Sequence, residues 1–207
     1  HQTQFGSNLP RINLVSFPRS GNSWVRYLIE AATGILTNSV YKEPSMKEYF
    51  GFVGENEPTD SGRCIVTKTH TSSFVDVSLE LRREKYPDNV PVILLIRNPA
   101  NSIISLWNLV NANGQGNSYF YNVSNDSYQT NEFHKSVEEN IRRWETVVSD
   151  RLIWTHRLLV IVYEELVAAP MEGLKAMLKF LGVPLDSQRA KCLTKHLQGP
   201  AKGAQRQ

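Results

Sequence analysis

Short apolar runs alternate with amphipathic stretches along most of the chain. The apolar runs are rich in Val, Ile and Leu and show little polar alternation, as is typical of strands covered on both faces. They predict strands at residues 13–17, 64–69, 92–96 and 158–162. Helical periodicity predicts helices at residues 23–32, 78–85, 99–109, 131–150 and 171–181. This alternation favours an α/β fold with a doubly wound, mainly parallel sheet flanked by helices.

Local signals set several element boundaries. Asn98 is placed to cap a helix whose first residue is Pro99, and Gly182 is placed to end the last predicted helix. In the helix at 131–150 one apolar stripe is expected to pack inward, formed by Phe133, Val137, Ile141, Trp144 and Val148. Residues 42–62 and 111–130 read as long loops, which in a compact domain are often functional.

Composition narrows the class of protein. The chain has 207 residues, 41% hydrophobic and 21% charged, which suits one soluble globular domain over residues 1–207. A net charge of +3 gives no reason to expect a nucleic-acid partner. No run reaches the roughly 18 apolar residues of a membrane span, so membrane attachment is expected only through a segment outside this chain. The start at His1 suggests an excised domain or fragment.

The two cysteines and the two glycosylation sequons do not by themselves identify a metal site, a disulfide bond or a cellular compartment. Cys64 and Cys192 show no metal-ligand spacing, and they are either a bridging pair or two buried thiols. Two glycosylation sequons begin at Asn122 and Asn125 in a polar segment, which leans towards a secretory compartment.

The most informative segment is the loop Phe17-Pro18-Arg19-Ser20-Gly21-Asn22-Ser23 between the first strand and the first helix. The first N–H groups of a helix lack intrahelical acceptors and the helix dipole is positive there, so this loop predicts an anion cradle. It is not a Walker A motif, because it has one Gly and no Lys-Ser/Thr pair. An ordinary turn remains the alternative.

A second candidate anion site follows the third predicted strand. Arg97 ends that strand and Ser105 lies eight positions later in the next helix, where a guanidinium and a hydroxyl can grip a phosphate. A surface arginine with ordinary helix-start serines is the alternative. Both segments follow strands whose carboxyl ends share an edge, which suits a ligand with two separated phosphates.

Together these segments resemble sulfotransferases that use 3′-phosphoadenosine 5′-phosphosulfate (PAPS). That family has the motif P-[KR]-S-G-[TN]-[TS]-W for the 5′-phosphosulfate, found here at 18–24, and an Arg–Ser pair with the spacing of Arg97 and Ser105 for the 3′-phosphate. Its K-T-H motif matches 68–70, and its Tyr-Glu-[Glu/Asp] motif, described as ending a strand, matches 163–165. Within the family, residues 17–24, 29–34, 51–55 and 61–63 resemble the Golgi-type WSC-domain-containing sulfotransferases.

The resemblance implies a P-loop-like fold, PAPS as the only cofactor and no required metal. It assigns cofactor binding to Arg19, Ser20, Gly21, Asn22, Ser23, Trp24, Arg97, Ser105, Tyr163 and Lys202, the last in a loosely matching C-terminal lid whose completeness is open. Trp24 is expected to stack on the adenine beside Tyr163, with core packing as the alternative. A glycan acceptor and the Golgi lumen or secretory pathway are implied, with the cytoplasm as the alternative.

Sulfuryl transfer requires a base for the acceptor hydroxyl and cations near the leaving oxygen. His70 is the expected base, and Lys68 and Arg19 are the expected cations, although most cytosolic relatives have Lys at the position of Arg19. The alternative for His70 is a structural histidine. Glu55 and Glu57 are alternative bases, more simply read as solvated loop charges, and His134, His156 and His196 are expected on the surface or in packing roles.

Two other functions stay open. A P-loop kinase would need Mg²⁺ and a Lys-Ser/Thr pair that the first loop lacks. A non-catalytic nucleotide- or glycan-binding module would bind the cofactor without turnover. The long loops at 42–62 and 111–130 are expected to line the acceptor pocket.

Overall fold

The computed structural model describes residues 2–70, 89–112 and 122–199. The predicted helix at 78–85, residues 113–121 of the predicted loop at 111–130, and Lys202 lie outside these residues. In chain order the described elements are β1 (Asn13–Ser16), α1 (Asn22–Thr33), β2 (Asn38–Ser39), α2 (Pro44–Phe50), β3 (Thr67–Thr69), β4 (Val92–Ile96), α3 (Pro99–Val110), a 3₁₀ turn (Asn125–Gln129), α4 (Asn131–Trp154), β5 (Leu158–Val162), α5 (Tyr163–Ala168), α6 (Pro170–Leu181) and α7 (Ser187–Leu193).

The strands form one parallel sheet in the order β2-β3-β1-β4-β5. The central strand β1 pairs with β3, where Val15 is level with Thr69, and with β4, where Val15 is level with Leu94. The chain therefore leaves β1, runs out to β2, returns through β3 and crosses to β4 on the other side. The predicted parallel α/β sheet is confirmed.

Apolar side chains cover both faces of the sheet. On one face Leu14, Ile93 and Leu95 pack with residues of α1, α6 and α7 such as Leu28 and Met177. On the other face Val15, Val92, Leu94 and Val147 of α4 form a smaller cluster. Helices on both faces are the hallmark of a doubly wound sheet, as the apolar, unalternating strands predict.

Several predicted boundaries are confirmed. β4 and β5 have the predicted bounds, Asn98 caps α3 by accepting from Ala100 N, and Gly182 ends α6 with a φ of 71°. The stripe of α4 is slightly rotated from the prediction: Asn140, Val147 and Arg151 are its buried positions, and Val148 is only half-buried.

Two short elements and one boundary differ from the predictions. β2 has only two residues, both polar, and so lacks an apolar run. α2 lies inside the predicted loop at 42–62, and its seven residues are too few to show periodicity, although Pro44 at its start and Gly51 at its end are helix signals. Tyr163 begins α5 rather than ending a strand, because Glu164 and Glu165 suit the first turn of a helix.

Candidate functional site

Three loops meet at the carboxyl edge of the sheet around β1. Because β3 and β4 flank β1, the loop after β1 lies between His70, which follows β3, and Arg97, which follows β4. The chain changes direction across the sheet at this point, and open α/β sheets bind their ligands at such switch points. The predicted site residues therefore gather at one edge.

The loop after β1 has a tightly constrained backbone. Arg19 adopts a φ of 62° and Gly21 a φ of 95°, both in the left-handed region. Gly21 also precedes α1 as its N-cap, with no side-chain cap and no acidic residue in the first turn. A β-carbon at Gly21 would stand 2.5 Å from Cε2 of Tyr163, so the loop packs directly on that ring. This start of a helix presents N–H donors and positive dipole without a competing carboxylate.

Both predicted anion-binding segments are joined by hydrogen bonds. Arg19 Nε donates to Ser105 Oγ at 3.0 Å, and Arg97 Nη1 donates to the carbonyl oxygen of Arg19 at 2.7 Å. The Arg97 guanidinium also lies 4.7 Å from the ring centroid of Tyr163. The indole of Trp144 on α4 donates to the Arg97 carbonyl at 3.0 Å, which fixes the end of β4. The two segments form one cationic site.

Buried polar atoms without partners lie in the same place. Ser20 Oγ, Asn22 Oδ1, Thr69 Oγ1 and Arg97 Nε have no hydrogen-bond partner among the described residues. A buried polar group left unsatisfied costs about 1–3 kcal/mol, so such groups are normally paired with protein, water or ligand. Donors on a hydroxyl and a guanidinium, next to an uncapped helix start, fit a bound phosphate or sulfate group. The residues present therefore fit the predicted cofactor.

On the β3 side of the site, the predicted cation Lys68 is paired with a carboxylate. Lys68 Nζ lies 3.1 Å from Glu43 Oε2, and the lysine side chain is 6% exposed against 40% for the glutamate. Burial lowers the pKa of Lys68, while the charge of Glu43 opposes that change. Glu43 precedes the first residue of α2, so its position depends on an element that periodicity does not predict.

His70 follows directly after β3 and is half-buried. Its Nδ1 lies 2.8 Å from the carbonyl oxygen of Ser16, an atom that can only accept, so Nδ1 carries the proton in the neutral ring. Nε2 then keeps its lone pair. Burial, with a smaller effect from the Lys68 ammonium, lowers the pKa of His70 to about 3, against the opposing effect of the Ser16 hydrogen bond. The imidazole is neutral at physiological pH.

Tyr163 and Trp24 are packed against each other. Their ring centroids are 5.9 Å apart with the planes at 75°, an edge-to-face pair. Trp24 is 2% exposed and its Nε1 donates to the carbonyl oxygen of Leu197 at 2.7 Å. Tyr163 is buried as well, at 7% exposed, and its ring lies beside the Gly21 loop. Trp24 thus supports Tyr163 from the core in this arrangement.

The alternative bases occupy different environments from those expected. Glu55 is not a solvated loop charge: it is fully buried and its Oε2 lies 2.6 Å from Arg26 Nη1. Glu57 is also not free in solvent, since it pairs with Arg63 at 3.0 Å. The expectation for Glu55 fails because its segment packs against Arg26 of α1. His134, His156 and His196 are exposed, as predicted.

The remaining predicted residues have ordinary partners. Asn22 Nδ2 donates to Ser16 Oγ at 3.1 Å, and Ser23 Oγ contacts Met46 Sδ of α2 at 3.7 Å. Cys64 is buried and Cys192 exposed, and both are free thiols rather than a bridging pair. Within residues 2–70, 89–112 and 122–199, no group of three His, Cys, Asp or Glu side chains is placed to hold a metal ion. No helix in these ranges is long and apolar enough to cross a membrane.

Sequence reasoning misses Tyr41 and Glu43, which contact His70 and Lys68. Tyr41 stacks on the His70 ring with centroids 5.4 Å apart and planes at 25°. Glu43 lies in the predicted loop at 42–62 and Tyr41 lies just before it. Their partners are 29 positions away for Tyr41 and 25 for Glu43, so no local pattern connects them. The usable signals are Pro44 and Gly51, which bound α2 and place Glu43 at its start.

Known proteins support the same architecture. The chain is 32% identical over 190 residues to a WSCD family member of Aedes aegypti, and 30% identical over 200 residues to one of Drosophila melanogaster. The alignments cover 90% and 93% of this chain but only 55% and 57% of those proteins, so the chain spans little more than half of their length.

A solved structure adds the fold. Mouse sulfotransferase SULT7A1, complexed with PAP, superposes with a TM-score of 0.53 at 18% identity, covering 91% of this chain and 64% of that one. At this identity the match shows the fold alone, a P-loop-like parallel sheet flanked by helices. A family model described as the Sulfotransferase domain matches residues 9–201. The chain belongs to the sulfotransferase domain family.

Proposed function

We propose that this protein transfers a sulfuryl group from PAPS to an acceptor hydroxyl. The observation that carries the proposal is the joined cationic site at the start of α1, where Arg19, Ser105 and Arg97 are hydrogen-bonded beside buried polar atoms that lack partners. A ligand with two anionic groups satisfies such a site. Family membership supports sulfuryl transfer as the reaction.

Each half of the cofactor has a matching part of the site. The uncapped start of α1, with Ser20, Gly21, Asn22 and Ser23, receives the 5′-phosphosulfate through N–H and hydroxyl donors. Arg97 and Ser105 receive the 3′-phosphate, for which the Arg97 Nε donor is available. Tyr163 provides a face for the adenine, and Trp24 supports Tyr163 from the core. A cofactor contact from Lys202, which lies outside the described residues, remains part of the proposal.

The protein's own groups perform three tasks in the transfer. When bound, PAPS supplies the sulfuryl group and leaves as adenosine 3′,5′-bisphosphate. His70 Nε2 accepts the proton of the acceptor hydroxyl as its oxygen attacks in line with the leaving oxygen. Lys68 and Arg19 stabilise negative charge as it builds on that oxygen. The Nδ1 hydrogen bond to Ser16 keeps His70 in the required tautomer.

The low pKa of His70 gives the proposal a pH signature. In the free enzyme the base is neutral above a pKa of about 3, so kcat/KM for PAPS stays flat as pH falls from 8 to 5. A bound polyanion favours the imidazolium and raises the pKa of His70, which strengthens the base only in the loaded site. The acid limb of kcat therefore lies at higher pH than that of kcat/KM. Activity is lost in each case as pH falls through the relevant pKa.

For the acceptor, we propose a glycan hydroxyl, and for the compartment the Golgi lumen or secretory pathway. The similarity to WSCD family members supports this assignment. Tyr41 and Tyr49 are exposed on the β3 side, where aromatic rings can pack on a sugar. No nucleic acid is expected as a partner. Membrane attachment would come through a segment outside this chain.

The test is transfer of ³⁵S from labelled PAPS to a panel of glycans and small phenols. We expect glycans to be labelled, and His70→Ala to bind adenosine 3′,5′-bisphosphate while losing about 10²–10⁴-fold in turnover. His134→Ala is the matched control, because His134 is exposed on α4 and should leave turnover unchanged.

Other outcomes discriminate the alternatives. Labelling of phenols alone would overturn the glycan assignment, and unchanged turnover in His70→Ala would overturn the base. Wild-type binding without transfer to any acceptor would indicate a non-catalytic binding module. Magnesium-dependent transfer of γ-phosphate from ATP would indicate a kinase.

A further inference from the structure

Tyr41, Lys42 and Glu43 form a turn that contacts Lys68 and His70 of the K-T-H segment; we call it the YKE turn. Lys42 has a φ of 52°, in the left-handed region that non-glycine residues rarely adopt. This conformation allows residues on either side of Lys42 to reach the same strand end. Non-glycine residues held in this way persist where the surroundings fix them, and they cluster at functional sites.

The contacts of Tyr41 hold the backbone and ring of His70. Its hydroxyl accepts from the His70 N–H at 2.7 Å and lies 2.7 Å from the His70 carbonyl oxygen, to which it donates. Its ring stacks on the imidazole, and Lys68 Nζ lies 5.7 Å from the same ring centroid. One side chain therefore lies against two of the predicted catalytic groups, His70 and Lys68.

Glu43 meets Lys68 from the other end of the turn. Its backbone N–H lies 3.4 Å from Oε1 of the buried Glu55, which ties the turn to the Arg26–Glu55 pair beneath α1. Met46, on the short helix α2 that Glu43 precedes, contacts Ser23 in the first turn of α1. The carboxylate of Glu43 is thus anchored beside the predicted cofactor cradle while remaining 40% exposed.

We propose that Glu43 and Tyr41 are positioning residues of the transfer reaction. Glu43 keeps the Lys68 ammonium protonated and oriented, and Tyr41 fixes the orientation of the His70 ring. This inference rests on the proposed function. The charged groups near Lys68 are Glu43, Glu55 and Arg26, and the titratable ring of His70 follows the end of the same strand, β3. Arg26 is neutralised by Glu55 at 2.6 Å, which leaves Glu43 as the anion in direct contact with the lysine.

Removing the charge of Glu43 should change how kcat depends on pH. A buried lysine loses its proton more readily, and Glu43 opposes that loss, so Glu43→Gln lowers the pKa of Lys68. Lys68 acts as a cation, so activity is lost as pH rises through its pKa. The alkaline limb of kcat therefore moves to lower pH in Glu43→Gln. Each pH unit beyond a pKa reduces the protonated fraction about tenfold.

The experiment compares wild type, Glu43→Gln, Glu43→Asp and Glu48→Gln in labelled-PAPS transfer from pH 6 to 9.5. Glu48 is exposed on α2, so Glu48→Gln removes an equal charge at a position away from the site. We expect the loss of kcat in Glu43→Gln to grow as pH rises, by about tenfold for each pH unit above the lowered pKa of Lys68, with Glu43→Asp intermediate and Glu48→Gln unchanged. Equal loss at all pH values would mean a merely structural role for Glu43 and would overturn the proposal.

A second measurement separates this proposal from the proposed function. The ¹³C shift of Lys68 Cε, assigned with Lys68→Gln, follows the lysine pKa without turnover. A lower pKa in Glu43→Gln supports the Glu43–Lys68 link, and an unchanged pKa overturns it, whether or not the protein transfers sulfate. Absence of transfer in wild type overturns the proposed function. For Tyr41, Tyr41→Phe keeps the ring and removes the hydroxyl, and unchanged kcat in that variant would overturn its role.

Discussion

The cationic side chains on the two sides of β1 have different kinds of partner. On the β4 side Arg97 contacts a carbonyl oxygen and an aromatic ring, and its buried Nε has no partner in the described part of the chain. On the β3 side Lys68 pairs with Glu43, and Arg26 pairs with the buried Glu55. A cation without a carboxylate leaves its charge available to an anionic ligand, whereas a paired cation is fixed in geometry and protonation. The charge of Arg97 on the β4 side therefore suits ligand binding, and the paired charges on the β3 side suit the positioning of side chains.

The largest effect should come from breaking the buried pair. Glu55→Gln leaves Arg26 charged in an environment where both side chains are at most 1% exposed. Removing one partner of a buried pair costs about 3–5 kcal/mol, so the free energy of unfolding should fall by that amount in urea titrations. Glu57→Gln is the matched control, since its pair with Arg63 lies at the surface and should contribute at most about 1 kcal/mol. Equal losses in both variants would contradict this distinction.

The second largest effect tests how closely the β4 side packs around the cradle. Gly21→Ala places a β-carbon 2.5 Å from Tyr163 at a φ of 95°, and strain plus overpacking should lower the free energy of unfolding by about 2–4 kcal/mol. Gly51→Ala is the control, because Gly51 has a φ of 73° but nothing within 4 Å of the added carbon. It should lose about 1–2 kcal/mol, from backbone strain alone. The same loss in both would show that the Tyr163 contact is unimportant.

Much of the β4 side could be predicted from sequence, and little of the β3 side. Arg97, Asn98 and Pro99 follow an apolar strand directly, so strand, cap and cation are all read from one continuous segment. Lys68 is equally visible, but its partner Glu43 depends on how residues 42–62 fold back against α1. That folding depends on Arg26 and Glu55, a pair 29 positions apart that no periodicity reveals. Sequence patterns report local geometry, and buried long-range pairs lie beyond them.

The third prediction tests the binding charge itself. Arg97→Gln removes a guanidinium that forms no ion pair with a carboxylate in residues 2–70, 89–112 and 122–199, and it should weaken binding of adenosine 3′,5′-bisphosphate by about 10–150-fold, or about 1.5–3 kcal/mol. Isothermal titration at two salt concentrations measures the loss and its electrostatic share. Arg142→Gln removes the same charge from an exposed position on α4 and should bind as wild type. Equal weakening by both variants would indicate a general charge effect.

The smallest effect should come from Arg19→Lys, which keeps the charge on the binding side but changes its shape. Arg19 Nε donates to Ser105 at 3.0 Å, and a lysine loses the planar fork that fixes this bond while retaining an ammonium near the leaving oxygen. If Arg19 acts through charge, kcat should fall less than about tenfold in Arg19→Lys and far more in Arg19→Met, measured by labelled-PAPS transfer. A lysine variant as inactive as the methionine variant would show that the guanidinium geometry, through Ser105, is what the reaction requires. The binding side would then depend on positioning as much as the β3 side does.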